Sequence, residues 1–372
     1  VISVAELPQR LFTWYRENKR DLPWRRTKDP YAIWLSEIML QQTRVETVIP
    51  YYDRFLAAYP TVQSLAEAPL EDVLTKWSGL GYYRRARTLH AAAQQVSRER
   101  GGIFPREASE LREIGGIGPY TAGAVASIAF DRAAALVDGN VARVFARIFA
   151  VNDDVRKPAG NAKIWKIAEE LVPKKNPGDY NQALMELGAL ICTPRAPRCL
   201  LCPVHDLCEA RNRGLENDLP IMGAKKAPRA WSRAALVVQR AGEVLLVKRR
   251  GDRLFGGMWE PPAVDVEKKS DRPPRALEKM VGLKDVEYTE KEEVKHVLSH
   301  RKMDVAVFAA HAKKITFVPT DEYDEARWVS LEALAELPTS TLCKKILAAA
   351  AWPAPAKSIS SRRPARPRKA SK

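Results

Sequence analysis

The chain has 372 residues, 46% of them hydrophobic, which is enough for two or three domains with a sizeable core and excludes a disordered chain. Its 61 Lys and Arg against 45 Asp and Glu leave a formal charge of +16, favouring a polyanionic partner: nucleic acid first, an anionic membrane surface second. No run of 18 apolar residues and no charged-then-apolar leader occurs, so neither a membrane span nor secretion is expected. Four of the five cysteines crowd into Cys192–Cys208, which fits a reducing compartment and a metal site better than a disulfide scaffold.

Taken in order, residues 1–214 read as almost entirely helical. Leu7, Leu11, Trp14 and Tyr15 share one face of a first helix. The basic stretch from Lys19 to Arg26 reads either as a solvated turn or as a wall of a base-binding pocket, with Trp24 packing on a base and Arg25 hydrogen-bonding it. Pro30 to Gln42 is an apolar helix in which Glu37 stands among Ile33, Trp34, Leu35, Ile38 and Met39. Its carboxylate lies either on a wet face or in a partly dry pocket, where burial would raise its pKa and make it a proton donor near neutrality. Gln41, Gln42, Thr43 and Arg44 then suit a DNA groove or simple capping. From Trp77 to Arg87 two glycines make a tight turn, and Tyr82 and Tyr83 precede three arginines. That is an arrangement for wedging bases apart beside phosphates, or a helix start with a basic face.

The stretch from Leu111 to Val141 is read as a helix, a glycine turn at Gly116-Ile117-Gly118, and a second helix opened by Pro119. Glycines let backbone approach a ligand, and the amides of a helix start attract phosphate without reading a base; an ordinary helix pair is the plainer reading. Val137-Asp138-Gly139-Asn140 follows. Farther on the spacing is Cys192-x6-Cys199-x2-Cys202-x5-Cys208, with Arg195 and Arg198 expected to project outward between the first two thiols. A zinc site usually pairs two CxxC units; one CxxC with uneven outer gaps fits a four-iron cluster better, with a disulfide pair as the third reading. Residues 215–229 read as a linker. Beyond it the period changes to strand: 233–240 and 243–250 as a hairpin, 293–298 and 303–310 as a second pair, and helices near 274–281, 330–336 and 339–351. The last 20 residues carry seven Lys or Arg, four prolines and no acid, and read as a disordered basic tail.

These motifs resemble the endonuclease III superfamily of base-excision glycosylases, and within it the adenine-removing MutY family. Ser36-Glu37-Ile38-Met39-Leu40-Gln41-Gln42-Thr43 is similar to that family's catalytic motif, Tyr120 stands where the lyases carry a lysine, and Leu298-Ser299-His300 is similar to its Phe-Ser-His. The resemblance covers about residues 1–350 and is weaker in the second domain. It implies a multidomain fold: an all-α helix-hairpin-helix glycosylase domain with an iron–sulfur region over 1–214, the linker, an α+β Nudix-like lesion-recognition domain over 230–352, and the tail over 353–372. It implies removal of adenine mispaired with 8-oxoguanine in duplex DNA; a lone catalytic unit per duplex makes a monomer the expectation, with a bacterial-type cytoplasmic location at the nucleoid.

By the same resemblance Glu37 would protonate N7 of adenine, Asp138 would stay ionised beside the sugar cation, and Tyr120 and Asn140 would orient Asp138 and the departing sugar. Trp24, Arg25 and Gln182 would line the adenine pocket. Gln42, Thr43, Leu80 and Tyr82 would contact or wedge beside the mispair, with Gly116 and Gly118 on phosphate. Ser299 and His300 would read the lesion, and Cys192, Cys199, Cys202 and Cys208 would hold a [4Fe-4S] cluster. Gly256-Gly257-Met258-Trp259-Glu260 lacks the Glu-rich metal helix downstream, so no nucleotide pyrophosphatase activity is expected. Three rivals remain: a pyrimidine-lesion glycosylase with lyase activity, a DNA binder without chemistry, and a nucleotide-pool hydrolase.

Overall fold

The computed structural model describes residues 6–223, 227–251, 253–267, 273–283, 287–298 and 300–353. It divides into two compact units that meet between Ala227 and Pro228. The first is helical: α1 Leu7–Asn18, α2 Pro30–Leu40, α3 Val45–Ala58, α4 Val62–Glu67, α5 Leu70–Trp77, α6 Arg84–Arg100, α7 Ala108–Leu111, α8 Pro119–Phe130, α9 Gly139–Ile148, α10 Pro158–Leu171, α11 Pro177–Leu190 and α12 Glu209–Asn212. Among the described residues no helix is long and apolar enough to cross a membrane.

Helix α2 is the centre of this unit. Asp29 caps its first turn by accepting from Tyr31 N at 3.0 Å, Pro30 occupies the first helical position, and Tyr31 through Met39 are all buried. A helix apolar all round belongs inside a core, and its one acid goes inside with it. The glycine turn is preceded by only a short helix, α7, rather than the full partner the sequence suggested. Gly116 has φ +86, and a Cβ there would stand 2.0 Å from Thr88 Cγ2, so the turn closes against α6 only with glycine. Buried Ile117 anchors it while Gly116 and Gly118 are exposed.

Residues 215–223, expected as linker, are tied to the helical unit. Leu219 O accepts from Arg147 Nε at 2.9 Å, Ile221 O from Val155 N at 3.2 Å, and Asp154 Oδ2 takes Gly223 N at 2.8 Å.

The second unit contains β1 Arg229–Arg240, β2 Glu243–Arg249, β3 Trp259–Glu260, β4 Ala263–Asp265, α13 Arg275–Val281, β5 Tyr288–Glu290, β6 Val294–Leu298, β7 Arg301–His311, β8 Tyr323–Val329, α14 Leu331–Ala335 and α15 Thr341–Ala349. The strands form one mixed sheet of order β3-β2-β1-β7-β5, with β1 and β7 parallel from Arg229↔Arg301 to Gln239↔His311. Alternation on β1 sends Ala235 and Val237 to a core with Leu342, Ile346 and Leu347 of α15. The opposite face carries Ala234, Leu236 and Val238 onto Leu277, Met280 and Val281 of α13. Burial on both faces explains why β1 reads as a continuous apolar run. Cys343, apart from the other thiols, is fully buried in α15.

One ionic group is sealed into this unit. Glu260 Oε1 accepts from Arg249 Nε at 2.7 Å, Arg233 Nη1 at 3.4 Å and Tyr323 Oη at 2.6 Å, while Glu322 Oε2 takes a second nitrogen from each arginine. Burial pushes Glu260 up, but the two guanidiniums outweigh it and hold the carboxyl below its ordinary value. Removing one member strands the rest: Glu260→Ala is expected to destabilise the second unit by about 3–5 kcal/mol. The exposed pair of Arg327 with Glu325, by contrast, is worth roughly 0–1 kcal/mol when broken by Glu325→Ala. Denaturant midpoints of the two variants measure both; equal shifts would remove the structural role given to Glu260.

Candidate active site and nucleic-acid interface

Glu37 is 4% exposed, and its Oε2 accepts a short hydrogen bond from the hydroxyl of Tyr120, in the first turn of α8. Burial raises its pKa to about 7; the Tyr120 hydrogen bond and the charge of Arg25 pull it down, and the neighbouring negative charge of Asp138 pushes it up. Tyr120 therefore serves Glu37, where the sequence reading had it orienting Asp138. The sulfur of Met185, from α11, stands 3.4 Å from the same hydroxyl.

Asp138 is the N-cap of α9. Its Oδ1 accepts from Asn140 N at 2.9 Å and Val141 N at 2.7 Å, and its Oδ2 from Asn140 Nδ2 at 2.9 Å. Burial pushes its pKa up, against these donors, which favour the charged form. Asn140 is held in turn: its Oδ1 accepts from Arg143 Nη2 at 2.8 Å, and Arg143 also donates to Gly188 O at 2.8 Å and Cys192 O at 2.7 Å. A Cβ on Gly188 would lie 2.6 Å from Asn140 Cβ, so glycine is what lets α11 approach this turn.

The expected base pocket is less open than its residues suggested. Trp24 is 6% exposed and packs edge-on to Tyr52 at 5.4 Å, so it is core rather than a stacking wall. Gln182 is also buried, with Nε2 donating to Gly178 O at 3.3 Å. Arg25 gives both terminal nitrogens to Glu186, at 3.1 and 2.9 Å, and Arg20 donates its backbone N, Nε and Nη2 to the same carboxylate. Burial raises Glu186, but the hydrogen bonds from Arg20 and Arg25 outweigh it and hold the carboxyl at about 2.

Among the residues expected at the mispair, Tyr82 is 44% exposed and Gln42 is exposed, whereas Leu80 is 5% exposed and packed inward, away from a wedging role as it stands. Thr43 Oγ1 accepts from Arg85 Nη2 at 3.0 Å. His300 is exposed and its carbonyl accepts from Arg229 N at 2.9 Å; Ser299 lies outside the described residues.

Cys192, Cys199, Cys202 and Cys208 line one cavity of about 30 Å³ together with Arg147 and Glu216. Arg147, 2% exposed, donates to Cys192 Sγ at 3.3 Å and to Thr193 O at 2.7 Å. Among the described residues no three His, Cys, Asp or Glu side chains stand close enough to hold a single metal ion. Four soft thiols round one cavity, with a buried guanidinium on one sulfur, are a donor set suited to an anionic iron–sulfur group. Arg195 and Arg198 are exposed.

The residues that sequence reasoning passed over are Glu186, Arg20, Arg143 and Arg147. A carboxylate between Met185 and Leu187 and an arginine inside the buried stretch of α9 were the available signals.

Comparison with known proteins bears on this geometry. Residues 35–173 match the HhH-GPD superfamily of base excision DNA repair proteins, and residues 233–349 match the NUDIX domain. The adenine DNA glycosylase of Homo sapiens is 37% identical over 408 residues, covering 93% of this chain and 74% of that protein. The chain belongs to the adenine DNA glycosylase family. It is therefore a DNA glycosylase of base excision repair. The relative from Rattus norvegicus is 38% identical over 93% of this chain and 78% of its own length. A solved thermostable thymine-DNA glycosylase is 33% identical, with a TM-score of 0.52 over 56% of this chain and 97% of that one.

The depressed pKa of Glu186 fixes a pH window. Its ordinary value is 4.5 and its folded value about 2, so its contribution to stability is full above 4.5 and is lost as pH falls toward 2. The contribution is on the order of 3 kcal/mol. Acid titration of the unfolding free energy should fall less steeply across that window in Glu186→Gln than in the parent chain; superimposable slopes would show that Glu186 is not held as charged.

Proposed function

We propose that this chain hydrolyses the N-glycosidic bond of adenine paired with 8-oxoguanine in duplex DNA, acting as a monomer. The observation that carries the reading is a pair of unlike carboxyl groups near enough to feel each other's charge: Glu37, buried and protonated to about pH 7, and half-buried Asp138, solvated by three N–H groups. Glu37 donates its proton to N7 of the extruded base as the bond from the sugar to N9 breaks, and the bonding electrons leave with adenine. The sugar becomes cationic, and Asp138 meets it with charge or with a carboxylate oxygen. Water adds to the sugar carbon, and the proton it loses restores Glu37. Base flipping is the general solution for glycosylases, which cannot reach their bond inside the stack. With tyrosine rather than an amine at position 120, no Schiff base forms there and the backbone is left uncut.

In this reading the glycine turn and the exposed Arg195 and Arg198 hold phosphates, Gln42, Thr43 and Tyr82 meet the mispair, and Ser299 and His300 read the oxidised base. Arg25 lies near enough to influence Glu37, and Arg25 and Gln182 border the base. The four cysteines hold a [4Fe-4S] cluster, which when bound supplies an anionic brace for the loop between them.

A duplex with adenine opposite 8-oxoguanine tests this. Strand breakage should appear only after hot alkali and should exceed that with ordinary guanine. Glu37→Gln and Asp138→Asn should each slow single-turnover release by about 10²-fold or more. The rate should fall as pH rises through about 7, where Glu37 loses its proton. Breakage without alkali would establish the lyase rival, and tight binding without base release the simple binder.

The thiols are tested separately. The purified chain should be brown, with broad violet-blue absorbance that disappears in Cys199→Ser, and should carry iron by elemental analysis. A colourless protein containing zinc would replace the cluster with a metal ion.

A further inference from the structure

Arg85 lies between the two segments that carry Gln42 and Tyr82 and bonds to both. Its Nη1 donates to Ile38 O at 2.8 Å, Met39 O at 2.7 Å and Gln41 O at 2.7 Å; its Nη2 donates to Thr43 Oγ1 at 3.0 Å and Gly81 O at 3.2 Å. The guanidinium also packs over two rings, Trp77 at 5.4 Å and Tyr82 at 5.2 Å from their centroids. All of these acceptors are neutral. Burial pushes the guanidinium down to about 10, with Tyr82 opposing, which leaves it charged at neutral pH.

The backbone on either side is unusual in the same way. Gln42 has φ +58 and Tyr82 φ +50, the left-handed region that side chains other than glycine enter at a cost. Such residues persist where surrounding structure over-determines them, and they cluster where a ligand is gripped. Here the carbonyls of Met39 and Gln41 and the hydroxyl of Thr43 fix the chain around Gln42. The carbonyl of Gly81 and the ring of Tyr82 fix the turn. The carbonyls of Ile38 and Met39 belong to the last turn of α2, the helix that bears Glu37. A planar fork with several N–H donors can satisfy carbonyls in different directions at once; an ammonium on a flexible stem cannot.

We propose that Arg85 is a positioning residue that makes the Gln42 loop, the Tyr82 turn and the end of the Glu37 helix one rigid unit, so that insertion at the mispair and delivery of the base to Glu37 occur in register. This rests on the reading above that Gln42 and Tyr82 meet the mispair. Arg85 itself faces protein oxygens, and its effect on DNA is exerted through the segments it holds.

The experiment separates the two. In an Asp138→Asn background, which keeps a good helix cap and blocks excision, 2-aminopurine placed beside the target adenine reports opening of the stack on binding. At saturating protein the parent background should brighten the probe. Adding Arg85→Lys should remove most of that brightening per bound duplex while thermal unfolding stays above the assay temperature, and adding Tyr82→Ala should do the same. Loss with Tyr82→Ala but full brightening with Arg85→Lys would overturn the positioning role alone. Full brightening with Tyr82→Ala would overturn the reading of the turn, and the proposal with it. If Arg85→Lys unfolds at the assay temperature, the comparison is repeated below its own unfolding midpoint: dimming there supports the role of Arg85, and full brightening rejects it.

Discussion

The rest of the site depends on the exclusion of water from Glu37. A carboxyl group on a solvated helix ionises near its ordinary value of 4.5 and has no proton to give at neutral pH. On α2 every residue from Tyr31 to Met39 is buried, so the acid is carried into the core with its helix. Desolvation then works against the charged form and raises the pKa to about 7. The Tyr120 hydroxyl partly opposes this, since a donor stabilises the anion left after the proton departs. A group near neutrality with a waiting donor both releases its proton readily and is stabilised once it has done so.

Asp138 meets the opposite requirement by a different route. It is half-buried, and it caps α9, where backbone N–H groups lacking helical partners converge on it. Burial raises the pKa of both carboxyls, and at Asp138 three N–H groups oppose that rise where Glu37 has a single hydroxyl. That second arrangement extends outward. Asn140 is oriented by Arg143, and Arg143 is anchored on the carbonyl of Cys192. The loop that gathers the thiols thus braces the turn that holds Asp138, and Gly188 provides the close approach this needs.

Much of this was legible in the sequence because it depends on local pattern. The cysteine spacing, the Gly116–Gly118 turn, and the change to strand period after residue 229 are all short-range signals. What was not legible depends on pairs far apart in the chain. Nothing near Arg20 or Arg25 announces Glu186, more than 160 positions away, and without it both arginines look free for a base. Trp24 sits in a basic loop, which suggested exposure, yet Tyr52 from α3 buries it. Tyr120 is far nearer Asp138 than Glu37 along the chain, yet its hydroxyl bonds Glu37, 83 positions away. Arg85 read as one of three phosphate-seeking arginines, and its acceptors at Ile38, Met39 and Gln41 are more than 40 positions back. The linker was misjudged at its start, because Pro and Gly composition does not reveal that Arg147 and Val155 hold Leu219 and Ile221.

The second unit holds a carboxylate inside its sheet by charge rather than by apolar packing. Its sheet and its match to the NUDIX domain place Glu260 just after two glycines, where a carboxylate free to face solvent could serve a metal. Here the carboxylate is 1% exposed and its Oε1 faces two guanidiniums and a phenol. Burying two guanidiniums is costly and is offset only when their donors are satisfied, so the position of Glu260 is fixed by Arg233 and Arg249 as firmly as theirs by it. A carboxylate gripped on one oxygen by two guanidiniums and a phenol is committed to that internal pairing. What the unit still presents outward is the end of the β6–β7 pair, where Leu298 packs against the core and His300 is exposed. Under the function proposed above, exposed His300 at this end is the side chain that would meet the base.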